Sequence, residues 1–199
     1  AVVRFVRNSN LGPCTYLRPT NIGEESAAIE AYGAEIPPFE EFYNNFSRSM
    51  GFDANVNLQL ITEAQCPAID FADALVAHGE GKLRFKIDKD IIRPGDVLSG
   101  AITGIEGRDL IVYLVASDGR VYDLGDHFTR GRDDAALHTV MSGSSGSNPS
   151  HLIVAIAGGA LPDLASTPIA DAPGLIDLAR ELSQQDDSEV AVSYFKYEG

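Results

Sequence analysis

The chain has 199 residues, 44% of them hydrophobic, and a mean hydropathy of −0.04, which fits one large or two small globular domains and excludes a disordered chain. Its net charge is −14, evenly spread: residues 1–80 carry 11 acids and 4 bases, residues 81–199 carry 18 and 11. Phosphate backbones and anionic bilayers are bound through Lys and Arg, so nucleic acid is excluded as a partner and an anionic membrane surface is disfavoured.

No run approaches the ~20 apolar residues of a membrane span; the richest, Leu152 to Ala157, has strand length. The chain opens on Ala1-Val2-Val3-Arg4 without a signal-peptide pattern. A mature fragment, or a piece of a longer protein whose anchor lies elsewhere, is expected.

Residues 2–6 alternate weakly, and Asn8 to Pro13 reads as a turn. Cys14 to Arg18 is a short strand ended by Pro19, and Asn21 to Ser26 turns the chain into a strand at 27–34. Phe39, Phe42, Tyr43, Phe46 and Met50 then share one helical face. Pro37 and Pro38 open that helix, Glu40 and Glu41 sit in its positive first turn, and Arg48 and Gly51 mark its end. The stripe is expected to pack on a sheet; lining a ligand pocket is the alternative.

Val56, Leu58 and Leu60 alternate with Asn55, Asn57 and Gln59 as a half-buried strand. Glu63 to Pro67 ends it, and Ile69, Phe71 and Leu75 predict one or two further helical turns. The result is a ββαβ unit of under 80 residues, small for the core it can bury. Cys14 and Cys66 flank it and no other cysteine occurs. A bridge between them closes a loop of 50-odd residues and adds roughly 4 kcal/mol in the chain-entropy account. Two unrelated buried thiols in a reducing cytosol are the alternative.

Gly12-Pro13-Cys14-Thr15-Tyr16, Ile29-Glu30-Ala31-Tyr32-Gly33, Phe52-Asp53-Ala54-Asn55-Val56 and Gln65-Cys66-Pro67-Ala68-Ile69-Asp70-Phe71 resemble BON-like α/β modules appended to bacterial signalling proteins. Similar Cys-bracketed segments occur in C-terminal regions of bacterial serine/threonine kinase-like envelope proteins. The resemblance covers about 70 residues, has no catalytic signature, and implies a docking or sensing module.

His78-Gly79-Glu80-Gly81 is the linker candidate, and beyond it strand follows strand. Leu83, Phe85 and Ile87 alternate with Arg84 and Lys86; Arg93 to Asp96 turns into a strand at 97–103; Leu110 to Val115 is a buried strand. Ser117-Asp118-Gly119-Arg120 is a tight hairpin signal leading to Val121 to Leu124. Strands follow at 136–141, 152–157 and 190–197, and a helix with Leu175, Ile176, Leu178, Ala179 and Leu182 interrupts them behind Pro173-Gly174. That spacing argues for an antiparallel sandwich with one covering helix. The Pro94-Gly95-Asp96 turn, the hairpin of Tyr113 to Leu124, and His151 to Ala157 resemble Ig-like domains found beside bacterial caspase-like, kinase or secretion-associated modules.

Chemistry is thinly marked. The histidines are His78, His127, His138 and His151, and serines cluster at Ser142, Ser144, Ser145, Ser147 and Ser150, without a Gly-x-Ser-x-Gly elbow. Asp123, Asp126, His127, Asp133, Asp134 and His138 lie close in sequence. Of these, Asp126, His127, Asp133 and His138 are weak metal candidates, without EF-hand or His-Glu-x-x-His spacing. Gly158-Gly159-Ala160 lacks the following Lys of a phosphate cradle, and Asp163 with nearby prolines reads as a turn.

The fold expectation is α+β: a disulfide-stapled ββαβ module over 1–79 and an antiparallel Ig-like β-sandwich with one covering helix over 80–199. The function expectation is a non-enzymatic accessory, sensor or protein-binding region of a larger bacterial envelope or signalling protein. It is placed in the periplasm or outside the cytoplasm and needs no cofactor. Its partner is a protein or a cell-envelope component. The alternative is a metal-dependent or hydrolytic enzyme using His127 and His138.

Overall fold

A computed structural model describes residues 1–76, 81–143, 146–161, 169–184 and 187–199. Residues 78–80 of the linker candidate at 78–81, the turn around Asp163, and Ser144 and Ser145 lie outside the described residues.

The first part of the chain runs α1 (Val2–Asn8), β1 (Thr15–Ile22), β2 (Ala27–Gly33), α2 (Pro37–Met50) and β3 (Asn55–Leu60). The strands form one sheet in the order β1-β2-β3, antiparallel between β1 and β2 and parallel between β2 and β3. The expected ββαβ unit is present. Residues 2–6 are helical rather than merely alternating, because Val2 and Val6 lie one turn apart and both are buried. Phe5 sits between them with its ring 5.5 Å from that of Phe46 and 5.8 Å from that of Phe42.

The two faces of this sheet have different partners. Ala27, Ile29, Leu17 and Val56 pack with Val2, Val6, Phe42 and Phe46, so α1 and α2 cover one face. Tyr16 and Tyr32, paired across β1 and β2, belong instead to a core shared with the rest of the chain.

That second core is organised by α3 (Cys66–Val76), which follows a short 3-10 turn at Glu63–Gln65. Pro67 fits its first turn, where an N–H has no helical partner anyway. The helix is longer than one or two turns because Ala68, Ile69, Phe71, Ala72 and Leu75 are all buried.

Beyond residue 80 come β4 (Arg84–Ile87), β5 (Ile91–Ile92), β6 (Val97–Thr103), β7 (Asp109–Val115), β8 (Val121–Asp123), β9 (Phe128–Arg130), β10 (Asp134–Val140), β11 (Ser150–Gly158), α4 (Gly174–Leu182) and β12 (Glu189–Tyr197). They form a four-stranded sheet, β4-β6-β10-β9, and a five-stranded sheet, β5-β12-β11-β7-β8. All pairs are antiparallel except β5 on β12. Leu98, Ile102, Ala135 and Leu137 of the first sheet meet Val112, Leu114, Ile153, Ala155 and Phe195 of the second, which makes a sandwich. The strand order is that of an Ig-like fold with an extra edge strand. The sandwich has neither Cys nor Trp, so it lacks the residue pair that usually marks such folds in a sequence.

The five-stranded sheet is covered on its other face too. Tyr113, Val115, Leu152, Val154, Ile156 and Val192 pack there against α3, against Leu175, Leu178 and Leu182 of α4, and against Tyr16 and Tyr32. Two helices therefore cover the sandwich, where one was expected. All nine residues of β11 are buried as a result. The α+β class stands, with one apolar core joining side chains from before and after residue 80.

Candidate functional site

The β1 side of the small sheet is closed by covalent and polar anchors. Cys14 and Cys66 form a disulfide across 52 residues, tying the start of β1 to the start of α3. Cys14 has a left-handed backbone, φ 57°, unusual for a residue with a side chain. Asp70 Oδ1 accepts its N–H at 2.7 Å and holds it there.

Next to the bridge, fully buried Gln65 satisfies all of its amide's main hydrogen-bonding capacity. Its Nε2 donates to the carbonyls of Val115 and Ser150, each at 3.1 Å. Its Oε1 accepts from Thr62 N–H at 3.0 Å and Ser150 Oγ at 2.9 Å. Thr62 Oγ1 donates to the Ser117 carbonyl at 2.6 Å. Gly119 lets the β7–β8 hairpin approach this point: its φ is +86°, and a Cβ there would lie 2.8 Å from the Ala64 carbonyl oxygen.

The β3 side is different. Ile61 N–H donates to the Gly33 carbonyl, so alternation along the strand turns the N–H and C=O groups of Asn55, Asn57 and Gln59 towards β2. Those of Val56, Leu58 and Leu60 face outward, and no described strand pairs with them. Edge strands are normally shielded by charge, proline, a bulge or shortness, and the other edges follow that rule. β1 has Arg18, Pro19 and a register shift between Pro19 and Asn21. β4 carries Arg84 and Lys86, β5 has two residues, and β8 and β9 have three each. β3, Asn-Val-Asn-Leu-Gln-Leu, has six uncharged residues and none of these devices.

Beside that edge runs an open groove of about 430 Å³, lined by Ile36, Phe39, Glu40, Tyr43 and Asn44 of the α2 region and by Val56 and Leu58. Ile36, Tyr43 and Leu60 are exposed there at 47%, 37% and 44%, an apolar strip on an otherwise acidic chain. Only Phe39 of the lining is fully buried. The aromatic stripe of α2 is thus divided: Phe39, Phe42 and Phe46 are core, while Tyr43 faces the groove. A second groove, about 370 Å³, lies on the α1 side of α2 between Phe5, Leu11, Pro37, Pro38 and Phe42, with Glu35 and Glu41 at its rim.

The metal and enzyme candidates are elsewhere. Asp126 and His127 lie in an exposed 3-10 turn at Gly125–His127, Asp133 in the exposed turn before β10, and His138 on the exposed face of β10 opposite Ser99. Among the described residues no three His, Cys, Asp or Glu side chains are placed to hold a metal ion together. The structure does not gather these four residues. Ser150 and His151 are core: Ser150 belongs to the Gln65 network, and the His151 ring stacks on Phe195 with centroids 5.2 Å apart. Burial lowers the pKa of His151. Burial likewise pushes Tyr16 and Tyr113 up to about 12 and raises Glu30 and Asp73. Tyr16, Tyr113 and His151 are buried, Glu30 is half-buried on β2 and Asp73 lies on the exposed side of α3, so none of these shifts belongs to either groove.

No family matches the chain, and no curated protein matches it. Among solved structures it is similar to a DUF4785 family protein from Legionella pneumophila, at 12% identity and TM-score 0.39, over 57% of this chain and 27% of that one. It is also similar to the sulfur carrier protein SoxY from Chlorobium limicola, at 11% identity and TM-score 0.29, over 58% and 79%. A third is the CARDB domain of a Pyrococcus furiosus protein in complex with di-metal ions, at 10% identity and TM-score 0.28, over 58% and 85%. The chain spans about a quarter of the Legionella protein's length. Nothing about this chain's function follows from likenesses at this level.

Proposed function

We propose that this chain is a non-catalytic, protein-binding accessory region of a larger bacterial envelope or signalling protein, and that it binds by accepting an extended strand of its partner at β3. The observation that carries this reading is the unshielded β3 edge beside the apolar α2 groove. Strand addition draws affinity from main-chain hydrogen bonds and specificity from pockets for alternate side chains. Val56, Leu58 and Leu60 offer the first, and Ile36, Phe39 and Tyr43 offer the second. The Cys14–Cys66 bridge supports a periplasmic or extracytoplasmic setting, since such bonds persist in oxidising compartments.

Selection of displayed random decapeptides against the parent chain and an Asn57→Lys variant tests the docking mode. Enriched peptides are expected to bind the parent and to lose most of their affinity for the variant, whose new charge sits on the edge. Peptides indifferent to that charge, or no enrichment at all, contradict the reading.

A further inference from the structure

The open edge carries chemical information about its occupant. Glu40 lines the groove among Ile36, Phe39, Tyr43, Val56 and Leu58, and it is exposed. No described Lys or Arg forms an ion pair with it. Arg48, the basic residue of the last turn of α2, donates instead to the Asn44 carbonyl. The neighbouring groove repeats the sign with Glu35 and Glu41, and the whole chain stands at −14. A second copy of the chain would bring like charges together along adjoining α2 helices, so the electrostatics select against self-pairing.

We infer that the occupant of the β3 edge is an extended partner segment bearing a Lys or Arg, flanked at alternate positions by apolar side chains. The inference rests on the docking mode proposed above. Side chains at i, i+2 and i+4 of an added strand face α2 together. The outer two meet the apolar strip of Ile36, Tyr43, Val56 and Leu58, and the middle one meets Glu40. The cation then adds its ion pair to a contact whose main-chain bonds do not depend on sequence.

The test uses three acetylated, amidated heptapeptides: Thr-Val-Thr-Lys-Thr-Val-Thr and its counterparts with Gln or Glu in the centre. Backbone amide shifts of Val56, Leu58 and Leu60 report where they bind, and titrations give the affinities. The expected order is Lys over Gln over Glu, each step about two- to fivefold at low salt and smaller at high salt, as an exposed ion pair allows. Glu40→Gln should collapse the order, and Glu40→Lys should invert it. Equal binding of all three peptides at the same amides overturns the cationic preference and leaves strand addition standing. Absence of any shift at those amides overturns strand addition itself. Concentration-dependent self-association through the same amides makes a second copy the occupant and overturns the inference.

Discussion

The two edges of the three-stranded sheet, β1 and β3, belong to one small unit yet are finished in opposite ways. β1 is interrupted by a proline and a register shift, carries Arg18, and is tied to α3 by the disulfide. β3 is flat in pattern, uncharged and, among the described residues, paired on one side only. An edge left unprotected invites another strand. The stabilising devices of the unit are thus concentrated on the side that joins the sandwich, leaving the opposite side available for recognition.

Breaking the closed side should produce the largest effects. Removing the bridge by Cys14→Ser with Cys66→Ser, or by reductant, should lower unfolding free energy by roughly 4 kcal/mol on the chain-entropy estimate. Denaturant titrations of the oxidised and reduced protein measure this, and a difference under about 1 kcal/mol would mean the bridge is dispensable.

Gln65→Ala should come next, at about 3 kcal/mol, because it strands the Val115 and Ser150 carbonyls in a buried site. The same denaturation experiment reads the cost. Gln65→Glu should also destabilise strongly, since a carboxylate cannot donate to those two carbonyls.

On the open side the pattern reverses. Asn57→Lys, placed on an exposed edge residue, should change stability by no more than about 0.5 kcal/mol while weakening peptide binding severalfold. A large stability loss would show that β3 is not a free edge.

The smallest effect concerns pH and sits away from both edges. His151 is buried with its pKa lowered, so the unfolded chain binds the extra proton more readily. Its contribution is intact above the ordinary value of 6.5 and is lost as pH falls below that. Glu30 and Asp73, both raised by burial, act oppositely at lower pH, where protonation relieves the cost of burying their charge. His151→Phe should flatten the decline just below pH 6.5 in thermal melts. An unchanged slope would place the titrating group elsewhere.

Much of the first unit was legible because its signals are local. The ββαβ order, the α2 stripe and the bridge all follow from periodicity and two cysteines. The edge was legible only in part: the alternation of residues 55–60 showed a half-buried strand, but not that one side would stay unpaired, which depends on sheet order. Gln65 gave no signal, because its partners lie 50 and 85 residues away. The length of α3 was hidden because Ala68 and Ala72, which complete its buried face, are weak markers of helical periodicity, while Asp70 and Asp73 lie on its exposed side. For the sandwich, the longer strands and the hairpin glycine were plain, whereas β5 and β9, two and three residues long, rest on long-range pairing. The histidines and acids of residues 123–138 were close in sequence, but alternation along β10 and the intervening turn keep them from converging.

Amide hydrogen exchange resolved by residue, with and without the lysine heptapeptide, tests the docking edge most directly. In the free chain, Val56, Leu58 and Leu60 should exchange quickly while Asn57, Gln59 and Ile61 are protected by the β2 ladder. Adding the peptide should slow the first three and leave β1 unchanged. Protection of Val56, Leu58 and Leu60 in the free chain, or no slowing on addition, would contradict the account.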